Sequence, residues 1–360
     1  MWAFVTAAAA HRSKRYHAYR LVFRHLRVPP GTMRPYALPG AAPLHELRWR
    51  RRLRRAPTVD FAEHAAAVGV GEIEEPVACS LCDGRLVQPL LRAPHGYHVV
   101  RCAACGFLYR NPGIRPSRLG DLYAGHYSHF LTGSYSANRK RRYRLVMDAF
   151  DPLFADGTGR RLLDFGCGAG LFLELAYERG FEGYGVDLSQ DSVEKARQRP
   201  SGAHAYFGAP GDVPEIAAGG FDLVTMWSVL AHLATPVEDL TLLRSLLADD
   251  GALTILTVNA NSLRLKANGS GWGGFTPNHL KFYAPATLPL LLRRAGFEAV
   301  VMRPMANDLV EAGASPLTAR QERRMRRVVA DGDRGNMLRA VAFARADGPA
   351  RWGFGDAVRL

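Results

Sequence analysis

The stretch Arg161-Leu162-Leu163-Asp164-Phe165-Gly166-Cys167-Gly168-Ala169-Gly170-Leu171-Phe172-Leu173 decides the fold. Its apolar residues and acid read as a buried parallel strand. Gly166, Gly168 and Gly170 then turn the chain into a helix on which Phe172, Leu175 and Ala176 recur at helical spacing. Gly180 stops that helix. Without Cβ atoms the glycines reach positive φ and let a ligand touch the backbone, while the free N–H groups of a helix start attract an anion. A nucleotide-like ligand fits such a loop.

About twenty residues on, Gly183-Tyr184-Gly185-Val186-Asp187-Leu188-Ser189 reads as the second strand. Asp187 stands where a carboxylate can bond two ribose hydroxyls, and Ser189 can cap the next helix. A nicotinamide dinucleotide and S-adenosylmethionine both suit this pair of strands. The glycine spacing separates them. A dinucleotide site wants G-x-G-x-x-G, whereas here the run is Asp-x-Gly-x-Gly-x-Gly with Leu171 in the sixth place.

This pattern resembles motif I of the class I S-adenosylmethionine-dependent methyltransferases. Phe221-Asp222-Leu223-Val224 followed by Leu230-Ala231-His232-Leu233 is similar to that family's fourth strand and following helix. Asn278-His279-Leu280-Lys281-Phe282-Tyr283, with Leu288 and Ala295-Gly296-Phe297, resembles its late signature. The likeness runs from about Arg160 to Ala346. It implies an α/β fold, a Rossmann-like seven-stranded sheet with helices on both faces and an antiparallel final strand. It also implies S-adenosylmethionine as cofactor. The amides of Gly166, Cys167, Gly168 and Gly170 would face the methionyl carboxylate. Asp164 would support the loop and the methionyl ammonium, Asp187 and Leu188 would take the ribose side, and Trp227 and Ser228 would flank the transferred methyl. The Cys167 thiol reads as packing. For adenine, Gly208-Ala209-Pro210-Gly211-Asp212 offers one acid, Asp212.

Around this centre the expected elements alternate: strand 162–165, helix 171–179, strand 181–187, helix 191–198, strand 203–207, strand 221–227, helix 236–247 and strand 251–258. Helix 285–295, strand 298–303 and strand 339–346 follow. Alternation of this kind means a parallel sheet covered on both faces.

Upstream, Cys79, Cys82, Cys102 and Cys105 form C-x2-C-x19-C-x2-C, the spacing of a zinc ribbon. Four thiolates close a tetrahedral sphere, so the zinc is expected to be structural. Leu86–Leu91 and Tyr97–Arg101 read as strands of that small sheet, and the paired cysteines indicate a reducing, cytoplasmic setting. With Phe107-Leu108-Tyr109-Arg110-Asn111-Pro112 and Leu122-Tyr123-Ala124-Gly125-His126-Tyr127, the module resembles the zinc-binding unit placed before the methyltransferase domain in nucleotide-sugar C-methyltransferases and natural-product tailoring enzymes. Tyr123 and Tyr127 would fold over the cofactor. The sugar C-methyltransferases carry a further C-terminal domain that this chain is too short to hold.

The expected layout is a basic arm over 1–70, disordered or read from a start codon placed early, a ribbon over 76–112 and connecting helices over 113–157. The methyltransferase domain would fill 158–347 with an insertion over 304–338, and 348–360 would be a tail. The net charge of +14 belongs to the ends: 1–58 hold thirteen Lys/Arg and one acid, 318–360 hold ten and five, and the body is left with 24 basic and 27 acidic groups. A near-neutral body does not favour nucleic acid. No apolar run is long enough to span a membrane.

If the acceptor is a hydroxyl or an acidic carbon, a base must take its proton. His279 and His232 are the candidates, with Tyr283 assisting; His232 also suits a structural role. The Arg139-Lys140-Arg141-Arg142 run reads as a solvated face. The expected activity is methyl transfer to a small-molecule acceptor: a sugar, a polysaccharide precursor or a secondary metabolite. The alternative is a zinc-ribbon nucleic-acid-associated protein or RNA methyltransferase. No Asn-Pro-Pro-Tyr-type motif follows the fourth strand, which argues against methylation of base or glutamine amino groups. Neither the oligomeric state nor the acceptor atom is encoded in any motif.

Overall fold

A computed structural model describes residue 51 and residues 56–122, 133–201, 204–305, 334–355 and 357–359. Tyr123, Tyr127 and most of both the basic arm and the 304–338 insertion lie outside the described residues.

The chain first builds β1 (Val59–Asp60), α1 (Phe61–Val68), β2 (Glu74–Glu75), β3 (Leu86–Arg92), β4 (His98–Cys102), β5 (Leu108–Arg110) and β6 (Gly113–Ile114). α1 starts at Phe61, because the Asp60 carboxylate accepts from the Ala62 amide at 2.8 Å and caps it. β1 and α1 thus lie within the span expected as arm. β3 and β4 form the expected hairpin, whose register shifts between Pro89 and Leu91, where proline offers the ladder no N–H.

The core follows: α2 (Gly133–Ala149), α3 (Asp151–Phe154), β7 (Arg161–Phe165), α4 (Leu171–Tyr177), β8 (Glu182–Asp187), α5 (Gln190–Arg197), β9 (His204–Phe207), α6 (Pro214–Ala217) and β10 (Phe221–Trp227). Then come α7 (Pro236–Leu246), β11 (Leu247–Val258), α8 (Leu263–Asn268), β12 (Lys281–Phe282), α9 (Leu288–Arg294), β13 (Ala299–Met305), β14 (Met337–Phe343), α10 (Gly348–Arg351) and β15 (Val358–Arg359). The strand order is β15-β13-β14-β11-β10-β7-β8-β9. β7 to β11 pair in parallel, and β14 runs antiparallel to β11 and β13. The seven expected strands are present, and the segment expected as a tail adds an eighth, β15, beside β13.

One apolar cluster, with Leu240, Leu243 and Leu291, packs one face of the sheet. A second, with Val146, Phe150, Phe172 and Leu175, packs the other. The chain leaves β7 toward β8 and β9 and returns on the other side of β7 as β10. Such a reversal is where α/β sheets bind ligands, here at the carboxyl ends of β7 and β10.

The small sheet is not confined to its own segment. β12 pairs with β5, Lys281 opposite Tyr109 and Phe282 opposite Leu108, so its order is β1-β3-β4-β5-β12. The same segment is tied over the ends of β10 and β11: the Leu280 amide donates to Ala231 O at 2.7 Å and the Ala260 amide to Tyr283 O at 2.6 Å. The ribbon therefore stands on the ligand-binding edge of the core.

The basic run is only partly a solvated face. Lys140 on α2 pairs with Glu174 on α4, which ties α2 to the helix that follows the glycine loop, and Glu174 also takes Arg199 from just past the end of α5.

Candidate functional site

The strand β7 delivers Asp164 into the core, and the glycines then bend the chain back. Gly166, Gly168 and Gly170 have φ of 76, 53 and 73°, a region that disfavours side chains. The Gly166 and Cys167 amides donate to Val186 O, which fixes the loop against β8. A Cβ on Gly166 would meet Val229 Cγ2 at 2.4 Å, whereas one on Gly168 would meet nothing within 4 Å. The chain is thus packed tightly below the loop and open above Gly168, which leaves a cradle for a ligand. Cys167 packs against Gly185, where a Cβ would come within 2.8 Å of its Sγ. Burial pushes the thiol well above its ordinary range, so it is a neutral packing group.

Asp187 ends β8 beside this cradle. Its Oδ2 accepts from the Gly168 amide at 2.8 Å and its Oδ1 from the Ser189 amide at 2.9 Å. Each oxygen keeps a lone pair. Ser189 caps α5 through the Ser192 amide. Leu188 and, opposite Asp187 on β9, Phe207 are exposed. These apolar side chains flank the carboxylate at the same sheet edge. Asp212 lies nearer than its sequence distance suggests, its Oδ2 4.0 Å from where a Gly208 Cβ would stand.

Two carboxyls at one buried edge create a demand for positive charge. Asp164 is pushed up to about 7, chiefly by burial, with the Thr225 hydroxyl, donating at 2.8 Å, opposing the rise and the Asp187 charge adding to it. Asp187 is raised by burial and held down by the Gly168 and Ser189 amides. Arg139 on α2 lowers both, and it also disfavours protonation of His232. The Arg139 charge is thus felt at both carboxyls, although its sequence context reads only as a charge run.

Trp227 ends β10, but its indole packs 4.5 Å from Phe172 and 5.4 Å from Tyr143, measured between ring centroids. Its Nε1 is buried without a partner among the described residues. Ser228 follows at φ 62°, unusual for a residue with a Cβ. Its amide donates to Leu256 O at 2.7 Å, which holds the turn leading to His232.

His232 and His279 come together, ring centroids 4.6 Å apart and nearly perpendicular. His279 Nδ1 lies 2.6 Å from Gly274 O. The carbonyl can only accept, so Nδ1 carries the proton and Nε2 the lone pair. Burial lowers His279 to about 4 and His232 well below its usual range, so both imidazoles are neutral near pH 7 and each is a weaker base than a free imidazole. Tyr283 is fully buried against Phe107, 5.1 Å between ring centroids, and packs with the ribbon rather than with the imidazoles.

A stability test follows from His279. The unfolded chain binds a proton below about 6.5 and the folded one only below about 4. Stability is therefore complete above 6.5 and falls by about 3 kcal/mol as the pH drops toward 4. Melting of the His279→Gln protein should show a correspondingly shallower acid loss than wild type over that window.

The four cysteines gather as the spacing predicts. Cys79 and Cys105 Sγ are 3.5 Å apart, as are Cys82 and Cys102 Sγ, and all four lie within 4.8 Å of one another. A tetrahedral metal with bonds of about 2.3 Å places sulfurs about 3.8 Å apart, so the set fits such an ion. The knuckles are built by Asp83 and Gly106, at φ 57 and 78°, whose amides return to Cys79 O and Cys102 O.

Comparison with known proteins meets this geometry. Residues 137–301 match the sequence model of a methyltransferase-domain family. A ubiquinone biosynthesis O-methyltransferase of Cereibacter sphaeroides is 33% identical over 157 residues, 41% of this chain and 64% of that protein. One from Neisseria meningitidis is 29% identical over 169 residues, covering 42% and 69%. The chain thus spans about two thirds or less of several such relatives. Among solved structures, an S-adenosylmethionine-dependent methyltransferase from Archaeoglobus fulgidus is 22% identical, covering 56% of this chain and 93% of that one, with a TM-score of 0.42. Among the described residues no helix is long and apolar enough to cross a membrane.

Proposed function

We propose, with the match of residues 137–301 to a methyltransferase-domain family as the premise, that this chain moves the methyl group of S-adenosylmethionine onto an oxygen of a small hydroxylated molecule. The acceptor is a sugar, a polysaccharide precursor or a secondary metabolite. The observation that carries this reading is the cradle above Gly168, walled by an amide-held carboxylate at Asp187. The names of the O-methyltransferase relatives support oxygen as the nucleophile.

The cofactor supplies an activated methyl on a sulfonium. Asp187 receives the ribose through its remaining lone pairs, Leu188 covers that side, and the Gly166 to Gly170 backbone lies along the methionyl part. Asp164, held near neutrality by burial, ionises when an ammonium approaches. Arg139 meets the methionyl carboxylate. Trp227 acts through packing and Ser228 through its backbone. His279, with its Nδ1 proton held by Gly274 O, takes the acceptor proton at Nε2, and His232 supports its ring. Alignment of nucleophile and methyl supplies most of the acceleration. Zinc is the metal assigned to Cys79, Cys82, Cys102 and Cys105, in a structural role.

Full-length protein incubated with methyl-labelled donor and pooled metabolites should place label in the small-molecule fraction. Label recovered in added RNA would favour the nucleic-acid reading instead, and no binding of S-adenosylhomocysteine in calorimetry would sink the enzymatic one. The His279→Gln protein should bind S-adenosylhomocysteine normally and turn over about a hundredfold more slowly. Arg139→Ala should weaken S-adenosylhomocysteine about tenfold, as expected for a charge-assisted contact to a carboxylate.

A further inference from the structure

We propose that Arg110 is a positioning residue for His279: its guanidinium pins the turn that carries the imidazole, so that the ribbon sets the direction in which Nε2 is presented. The proposal rests on the reading above that His279 takes the acceptor proton. It assigns Arg110 no contact with the acceptor.

His279 ends a turn with little structure of its own. The Phe275 amide donates to Trp272 O at 3.0 Å and the His279 amide to Thr276 O at 3.2 Å, while the ring is held by Nδ1 on Gly274 O. Pro277 has no N–H to offer a neighbour, and its carbonyl accepts from Arg110 Nη1 at 3.0 Å. Three residues on, Leu280 O accepts from the Arg110 amide at 2.8 Å. One residue of β5 therefore holds the chain on both sides of His279, by its side chain before the imidazole and by its backbone after it.

The donor is itself fixed. Arg110 is buried, Nη2 pairs with Glu74, and the guanidinium lies 5.0 Å over the Tyr97 ring. Glu74 Oε2 accepts in turn from the Gly71 amide at 2.8 Å. Beside Arg110, Asn111 Nδ2 donates to Phe61 O at 2.8 Å, which anchors the end of β5 to α1. A planar fork with both ends engaged has one orientation, whereas an ammonium on a flexible stem cannot direct both bonds. A buried ion pair would account for Glu74 alone; the second arm of the fork reaches the turn of the base.

The position of that turn decides what the ring can do. Burial keeps His279 neutral, and the titratable group facing it is His232, which burial and the His279 charge keep neutral as well. A loosened turn lets water reach the ring, which raises its pKa toward the ordinary value and spoils the aim of Nε2.

Proton–carbon NMR on full-length, metal-loaded protein labelled at histidine Cε1 tests this, with His279→Gln identifying the signal. The variants are Arg110→Lys, which keeps the charge beside Glu74, and Arg110→Met combined with Glu74→Gln, which leaves no unpaired carboxylate. Wild-type His279, lowered to about 4, should stay neutral between about pH 5.5 and 8, whereas in both variants its signal should titrate within that window. S-adenosylhomocysteine affinity should change by no more than about twofold. Turnover should fall about tenfold with the donor KM little altered, because alignment and not cofactor binding is lost. A folded variant that melts lower yet leaves the His279 signal as in wild type would make Arg110 merely structural and overturn the proposal, as would failure of both variants to fold. A shifted His279 signal in a protein that transfers no methyl group would uphold the clamp and refute the methyl-transfer reading.

Discussion

Asp187→Ala is expected to weaken S-adenosylhomocysteine binding about a hundredfold or more while leaving a folded protein. The side chain does two jobs at once. Its Oδ2 and Oδ1 hold the Gly168 and Ser189 amides at 2.8 and 2.9 Å, and the remaining lone pairs face the cradle where a ribose would lie. Hydrogen bonds to a charged group contribute about 1.5–3 kcal/mol each, so two lost ribose contacts exceed the roughly 2.7 kcal/mol that a hundredfold represents. Two part-buried amides also lose their acceptor, which should lower the melting temperature modestly. Asp187→Asn separates the effects. Its single carbonyl can still serve one amide and one hydroxyl, so its affinity should fall about tenfold. Calorimetry with S-adenosylhomocysteine on wild type and both variants reads this. An unchanged affinity in the alanine variant would mean that the ribose is held elsewhere.

The glycine loop and the strands on either side of it are legible in the sequence because their determinants are local. Leu162, Leu163 and Val186 make buried strands, three alternate glycines permit the turn, and Ser189 caps the next helix. Nothing there depends on distant partners. The parts that escape such reading depend on them. β12 is two residues long and pairs with β5 across more than 170 positions, so Lys281 and Phe282 carry no strand pattern of their own. The influence of the Arg139 charge on the two carboxyls comes from the packing of α2, while its neighbours Lys140, Arg141 and Arg142 give it the look of a solvated run. His232 and His279 could each be named as a candidate base, but only the fold brings their rings within 4.6 Å. Tyr283, four positions after His279, faces the ribbon because β12 runs along β5. In Trp227 the strand end is legible, but the direction of the indole is not. Its partners Tyr143 and Phe172 come from two helices, and α2 is one that no motif positions.

Removing the metal should separate turnover from cofactor binding. The four thiols sit within 4.8 Å of one another, and an ion would tie the two knuckles directly to each other. Structural zinc in small peptides contributes on the order of 10–16 kcal/mol at neutral pH, far more than a sheet of this size can replace. Loss of the ion should therefore melt β3, β4 and β5, and with them the pairing of Tyr109 with Lys281 and of Leu108 with Phe282. Lys281 is buried, its ammonium 5.5 Å from the Tyr109 ring centroid, and burial lowers it to about 8 while negative charge at Cys79 favours its protonated form. A metal-bound set of four thiolates carries net negative charge, and its loss would strand that cation in the core. The disturbance then reaches His279, two residues before Lys281, through the segment whose Leu280 amide is held by Ala231 O. The glycine loop stands apart, fixed by Val186 and Asp187 on β8. Dialysis against a chelator, or Cys102→Ser at a fully buried ligand, should abolish turnover and lower the first melting transition by about 10 °C or more. S-adenosylhomocysteine affinity should change by no more than about threefold, less than 1 kcal/mol. Full turnover by metal-free protein would show that the ribbon does not support His279, and loss of cofactor binding together with turnover would show that the two sheets unfold as one unit.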